Sequence, residues 1–307
     1  MKGTAAEPLV LAVDIGGTKT AFGVFDRAGR LVREARIPTP RGDAERAVDG
    51  LLHRARAVIE GLPVASCGID MPAVVSDGVV QWAAWSFPGW DGLPLADRFR
   101  RALDIPCVLE FDGYAAALGE VWQGRARGCD DAAVVIVGTG VGAGFVHAGE
   151  LYRGKNGVAG AIGWLRFPEH DQLSQPMEDI ASGTAILRRA RSAHPLRDSA
   201  YSNTAAVFDA ASSGDLIARR AVRDAMVALA AGIGAVVAML APEIVVLGGS
   251  VGARPDVVDE VRGLVLRTTQ PYTAGSLVID GAALGARSSL YGAGYLAHCL
   301  VGREDPQ

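Results

Sequence analysis

Short apolar runs that empty into glycine turns constrain this chain more than any other feature. Residues 9–13 are continuously apolar, end in Asp14, pass through Ile15-Gly16-Gly17-Thr18-Lys19 and return through residues 20–25. That order predicts a buried strand, a tight turn and a returning strand. The arrangement recurs: residues 132–137 lead into Gly138-Thr139-Gly140-Val141-Gly142-Ala143-Gly144 and return through Phe145-Val146-His147. A third strand-like run, Pro242-Glu243-Ile244-Val245-Val246-Leu247, meets Gly248-Gly249-Ser250-Val251-Gly252. One such turn is equally a plain β-hairpin. Three, each after a buried strand and each with a hydroxyl (Thr18, Thr139, Ser250), agree on something more specific.

The segments between the turns alternate strand and helix. Residues 44–60 carry apolar side chains at helical spacing (Ala47, Val48, Leu51, Leu52, Ala55, Val58, Ile59), and residues 65–69 read as a buried strand. Residues 97–103 read as a helix, 107–111 as a strand and 114–123 as a helix opened by Asp112-Gly113. Long helical stretches at 180–193 and 216–240 follow, and the Ala/Gly-rich tail 282–300 has helical periodicity. At 307 residues the chain has length for two cores. The expected division is a smaller N-terminal α/β domain, 1–117, joined by a C-terminal helix, 290–307, and a larger α/β domain, 118–289.

With 50% hydrophobic and 21% charged residues and a formal charge of -4, the chain has the profile of an α/β enzyme and no basic footprint for nucleic acid or an anionic membrane. Cys67, Cys107, Cys129 and Cys299 form no CxxC pair and read as reduced thiols. The N-terminus lacks a signal-peptide pattern, and the run 9–13 is too short to span a bilayer. A cytoplasmic protein acting on a small molecule is the expectation.

Backbone N–H groups can cradle a phosphate chain only where the main chain approaches closely, which glycine permits. The turns therefore point to nucleotide phosphates. Asp14 before Gly16-Gly17 is either a turn residue bonding its own backbone or a carboxylate that orients water on Mg²⁺ beside the phosphates. Thr18 and Lys19 next to it favour magnesium. No Gly-Lys-Ser/Thr stands at P-loop spacing, and residues 138–144 run into a strand instead of a helix, which excludes Walker and Rossmann readings.

Asp14-Ile15-Gly16-Gly17-Thr18-Lys19, the turn 137–144, Glu178-Asp179-Ile180-Ala181-Ser182-Gly183-Thr184-Ala185 and residues 242–249 resemble, in order, the motifs of the ROK family of bacterial sugar kinases and sugar-responsive repressors. The resemblance spans residues 9–296. It implies an α/β actin-like ATPase (ribonuclease H-like) fold, two domains with a cleft between them, with ATP phosphates at Gly16, Gly17, Gly138, Thr139 and Gly140 and the adenosine near Gly248 and Gly249. It also implies a homodimer.

Phosphoryl transfer to a hydroxyl needs a carboxylate to take the proton. Asp112, after the strand 107–111 and before a helix, fits that role or that of an N-cap. The segment 110–120 is similar to the family segment whose Asp is the general base, which implies catalysis. The family's sugar-binding Asn, Glu and His fall at Phe111, Ala161 and Trp164, so three polar contacts are replaced, while Glu178 is retained and Gly138 lies at the acceptor. An acceptor site altered in this way cannot satisfy glucose as usual. Transfer of the γ-phosphate to a primary, C6-like hydroxyl of an amino sugar such as kanosamine, or of a C7-cyclitol, is the expectation. A glucokinase proper and a non-catalytic sugar sensor are the alternatives. Trp82, Trp85 and Trp90 line the same pocket or belong to the core. Residues 165–177 hold no cysteine and only His170, so no zinc site is expected.

Overall fold

The structure, a computed structural model, describes residues 8–83, 87–169, 172–194 and 200–301, and the chain divides into two compact units. The first takes in the described residues up to Arg127, the segment Arg153–Val158 and the described residues from Arg287 onward; the second holds the described residues of Gly128–Tyr152 and Ala159–Ala286.

The first unit opens with β1 (Leu9–Ile15), β2 (Lys19–Phe25) and β3 (Leu31–Pro38), an antiparallel arm. Helix α1 (Ala44–Ile59), capped by Asp43, leads to β4 (Val64–Met71), the small hairpin β5 (Val74–Ser76) and β6 (Val79–Trp82), α2 (Leu95–Leu103), β7 (Cys107–Phe111) and α3 (Asp112–Gln123). The sheet order is β3-β2-β1-β4-β7, with β4 parallel to both β1 and β7.

The second unit repeats this topology. Strands β8 (Ala132–Val137), β9 (Val141–His147) and β10 (Glu150–Tyr152) form its antiparallel arm, and β11 (Arg166–Glu169) pairs with β12 (Gln172–Pro176). Helices α4 (Glu178–Ala181), α5 (Gly183–Ala193), α6 (Thr204–Ser212) and α7 (Leu216–Leu240) precede β13 (Ile244–Gly248), α8 (Gly249–Gly252), α9 (Pro255–Thr268), α10 (Pro271–Ala274) and β14 (Val278–Gly281). The order β10-β9-β8-β13-β14 matches the first sheet strand for strand. Helix α7 is long and apolar enough to cross a membrane, and its buried face, including Ala225, Leu229, Ile233 and Val237, belongs to this unit's core. The stretch 180–193 is not one helix: Ser182 is extended, and its hydroxyl caps α5 by accepting from the Ala185 N–H.

Helix α11 (Ser288–Val301) returns to the first unit. Alternation along β1 sends Leu11, Val13 and Ile15 to the core with α1 and α2, and Val10 and Ala12 to α11. The contact of α11 with α3 and the sheet is made on glycines: a Cβ at Gly292 would overlap the Ala115 carbonyl, and one at Gly68 the Ala293 carbonyl. Because α3 is one continuous helix held by α11, this unit runs past residue 117 to Arg127.

Candidate active site

Parallel strands in register bring carboxyl groups together at their carboxyl ends. Asp14 lies opposite Asp70, and Asp70 opposite Glu110. Asp112 follows as the first residue of α3. Asp14 and Asp70 sit at even positions, on the face that meets α3 and α11.

Asp70 has no exposed surface, and counted as a carboxylate it has no donor on either oxygen. Its hydrogen bond with Asp14 therefore requires a proton on one of the two groups. Burial, then the negative charges of Asp14 and Asp112, push Asp70 well above the carboxylate range. Asp14 is partly buried; desolvation pushes it up to about 6, against the hydrogen bond from Asp70 and the charge of Arg36. Among the described residues no ammonium or guanidinium group pairs with either carboxyl. A partly accessible carboxyl backed by a buried acid bonded to it fits a hard divalent cation that brings its own water and phosphate ligands.

Glu110 does not join this group. Its carboxylate accepts from Arg153 Nη2 at 2.8 Å and from the Phe111 N–H at 3.0 Å, beside a cavity of about 600 Å³ also lined by Ser76, Gln81, Lys155 and Asn156. Phe111 packs edge-on against Tyr114 with ring centroids 5.1 Å apart.

Asp112 is not the N-cap that its position suggested. Phe111 occupies the cap, without a side-chain capping bond, and Asp112 lies within the first turn. The carbonyl of Asp112 accepts from the Ser289 hydroxyl of α11 at 3.4 Å.

The first glycine turn is tied down through its carbonyls: Gly16 O accepts the Thr39 hydroxyl at 2.6 Å, Gly17 O accepts from Arg41 at 3.1 Å, and Thr18 O accepts the Thr39 N–H at 3.0 Å. Thr18 and Lys19 are exposed at its tip. In the second unit, the Gly138-Thr139-Gly140 turn closes with the Gly138 N–H donating to Gly140 O at 2.9 Å. Gly183, at the start of α5, donates to Gly138 O at 2.7 Å. Glu178 Oε2 accepts the Val141 N–H at 2.8 Å, and a Cβ at Gly140 would stand 2.6 Å from that oxygen. Gly249, with φ +82°, passes so close to Val137 that a side chain there would overlap its backbone. The turns at Gly138–Gly140 and Gly248–Gly249 and the carboxylate of Glu178 thus converge within this unit.

Trp164 ends a short 3-10 turn, Ile162–Trp164, and is 52% exposed. Trp90 is core, stacked at a tilt on Phe87; Trp82 is 43% exposed on β6; Trp85 and His170 lie outside the described residues. Among the described residues, no group of three or more His, Cys, Asp or Glu is placed to hold a metal ion. Asp70 lies one residue beyond the strand that the apolar run 65–69 predicts, so the sequence alone does not mark it as part of the candidate site. The available signal was the recurrence of an acid at the end of each apolar strand: Asp14, Asp70 and the Glu110–Asp112 stretch.

The sequence profile of the ROK family matches residues 10–299. An N-acetylmannosamine kinase of Yersinia pestis is 36% identical over 251 residues, 79% of this chain and 83% of the relative. Among solved structures, a ROK family glucokinase from Streptomyces griseus in complex with glucose and AMPPNP superposes with a TM-score of 0.81 at 30% identity, covering 95% of this chain and 99% of that one. A ROK hexokinase from Thermus thermophilus gives 0.79 at 29% identity over 96% and 99%.

Proposed function

Because the chain belongs to the ROK family, we propose that it is an ATP-dependent kinase that phosphorylates a hydroxyl of a sugar or sugar-like polyol. The observation that carries this reading is the place of Asp112, a carboxylate at the carboxyl end of β7 and in the first turn of α3 instead of at its cap position. In the proposed reaction the acceptor oxygen attacks the γ-phosphorus of ATP, the bond from that phosphorus to the bridging oxygen breaks, ADP leaves, and Asp112 takes the hydroxyl proton.

Asp14 would hold the magnesium ion of the nucleotide through water, and the chemistry such an ion would supply is neutralisation of charge on the phosphates. The backbone at Gly16, Gly17, Gly138, Thr139 and Gly140 cradles the phosphates, with Thr18 and Lys19 at the edge of the first turn, and Gly248 and Gly249 meet the adenosine. Gly138 and Glu178 contribute to the acceptor site, where Phe111 and Trp164 stand in place of hydrogen-bonding groups.

A site with those two aromatic residues disfavours glucose, whose hydroxyls lose partners there. The acceptor we propose is an amino sugar, kanosamine among them, or a cyclitol, phosphorylated on a primary, C6-like hydroxyl. The similarity to an N-acetylmannosamine kinase adds that sugar to the panel. The test is ATP turnover with glucose, N-acetylmannosamine, kanosamine and a C7-cyclitol side by side. Glucose should be poorer than the best acceptor by at least about tenfold in kcat/KM, on the order of losing one hydrogen-bonded contact. Glucose equal to the best acceptor would refute the specificity, and no turnover with any of the four would favour a sensor. We further propose a cytoplasmic homodimer, to be checked by light scattering in solution.

A further inference from the structure

We propose that Asp70 is a positioning residue for Asp14, holding its carboxyl in the orientation that faces the magnesium ion of the nucleotide. The inference rests on the reading of Asp14 given above. Asp70 and Asp14 are register partners on adjacent parallel strands and project to the same face of the sheet. Further back on that face of β4, Ser66 donates to Ala297 O at 2.8 Å and Gly68 lies against the Ala293 carbonyl, so α11 closes the strand behind Asp70. Its carboxyl is left toward the strand ends, where Asp14 bonds it and Asp112 lies near enough to act on it by charge. Glu110, its neighbour in β7, is occupied by Arg153.

A fold has no stability reason to keep such a group. A sealed carboxyl with no donor costs free energy, and an apolar or small residue at the same place would remove that cost. What Asp70 supplies is a partner for Asp14. A partly accessible carboxyl that must meet a hydrated ion gains from being fixed by a neighbour, as ligands of metal ions generally do.

The test compares Asp70→Ala, Asp70→Asn and Asp14→Asn with the wild type, reading the magnesium concentration needed to bind a non-hydrolysable ATP analogue by calorimetry, together with analogue binding in EDTA and the thermal midpoint. Asp70→Ala should need roughly 10–100-fold more magnesium, the usual cost of losing a partner behind a metal ligand. Its binding in EDTA should be unchanged and its midpoint equal to or above the wild type. Asp70→Asn, which keeps a hydrogen-bonding head in place, should recover most of the loss. A wild-type magnesium requirement in Asp70→Ala, with a raised one in Asp14→Asn, overturns the inference and leaves Asp14 in its role. An unchanged requirement in both removes the reading of Asp14 and the inference with it. A lower midpoint or a lost fold in Asp70→Ala makes the residue structural, which also overturns it.

Discussion

Glu178 Oε2 accepts the backbone N–H of Val141 at 2.8 Å, so this carboxylate grips the strand that leaves the Gly138–Gly140 turn. A hydrogen bond to a charged group contributes about 1.5–3 kcal/mol. Glu178→Ala should lower the free energy of unfolding by that amount in urea titration. Glu178→Gln keeps an acceptor oxygen and should recover most of it. A Glu178→Ala protein as stable as the wild type would mean the turn holds its shape alone.

Much of this architecture is legible in the sequence, and the misses have physical causes. The spans of β7, β8 and α7 follow from apolar content and periodicity, and β1 and β2 from the Gly16-Gly17 turn between them. Strand β3 is not legible in the sequence because it is a half-exposed edge strand, with charges at Arg33, Glu34 and Arg36 that blunt the alternation. The break at Ser182 is masked because Ile180, Ala181 and Ala185 keep helical spacing across it, although a Ser followed by Gly is a cap signal. The meaning of Asp70 depends on register with Asp14, a pairing across more than fifty residues that local patterns do not carry.

Removal of the metal should separate chemistry from folding. With EDTA in excess, phosphoryl transfer should fall to background, while the thermal midpoint of the nucleotide-free protein stays within a degree or so, since no cluster among the described residues is built to hold a structural ion. Unfolding by a zinc-selective chelator would contradict this.

The acid pair gives the metal-free protein a specific pH dependence. Asp14 is held at about 6, above its ordinary value of 3.8, so the folded state binds its proton more tightly than the unfolded chain. The stability tied to that group is complete below the unfolded value and is lost as pH rises through about 6. Asp26, Asp215 and Asp256 are held low and act in the opposite sense, losing stability only as pH falls below the usual carboxylate range. Between pH 4 and about 6 the difference in midpoint between the wild type and Asp14→Asn should therefore shift against the wild type as pH rises. A constant difference across that window would show that Asp14 titrates normally.

Gly292 tests the support beneath Asp112. A Cβ there would overlap the Ala115 carbonyl of α3, which is backbone and cannot swing aside. Gly292→Val should cost about 1–3 kcal/mol or more, and at a temperature where the variant remains folded it should lower kcat, because the helix that begins at Asp112 must move. Wild-type stability in the variant would show that the two helices separate freely.

Asp112→Asn is the sharpest single test of the chemistry. Because Phe111 holds the cap position, the substitution leaves the N-cap residue unchanged, and the loss of a negative charge from the first turn of α3 costs only about 0.3–1 kcal/mol. Asn has nearly the shape of Asp, so the packing around α3 is kept. What it lacks is the ability to take a proton, and a positioned base contributes about two to four orders of magnitude in rate. Turnover should fall by that factor while affinity for the ATP analogue stays close to the wild type, since in the proposed site the glycine turns and Asp14, not Asp112, hold the nucleotide. Rate, analogue affinity and thermal midpoint measured on one preparation decide the matter. Near wild-type turnover in Asp112→Asn would remove it as the base and direct the search to Glu178, the other carboxylate of the proposed acceptor site.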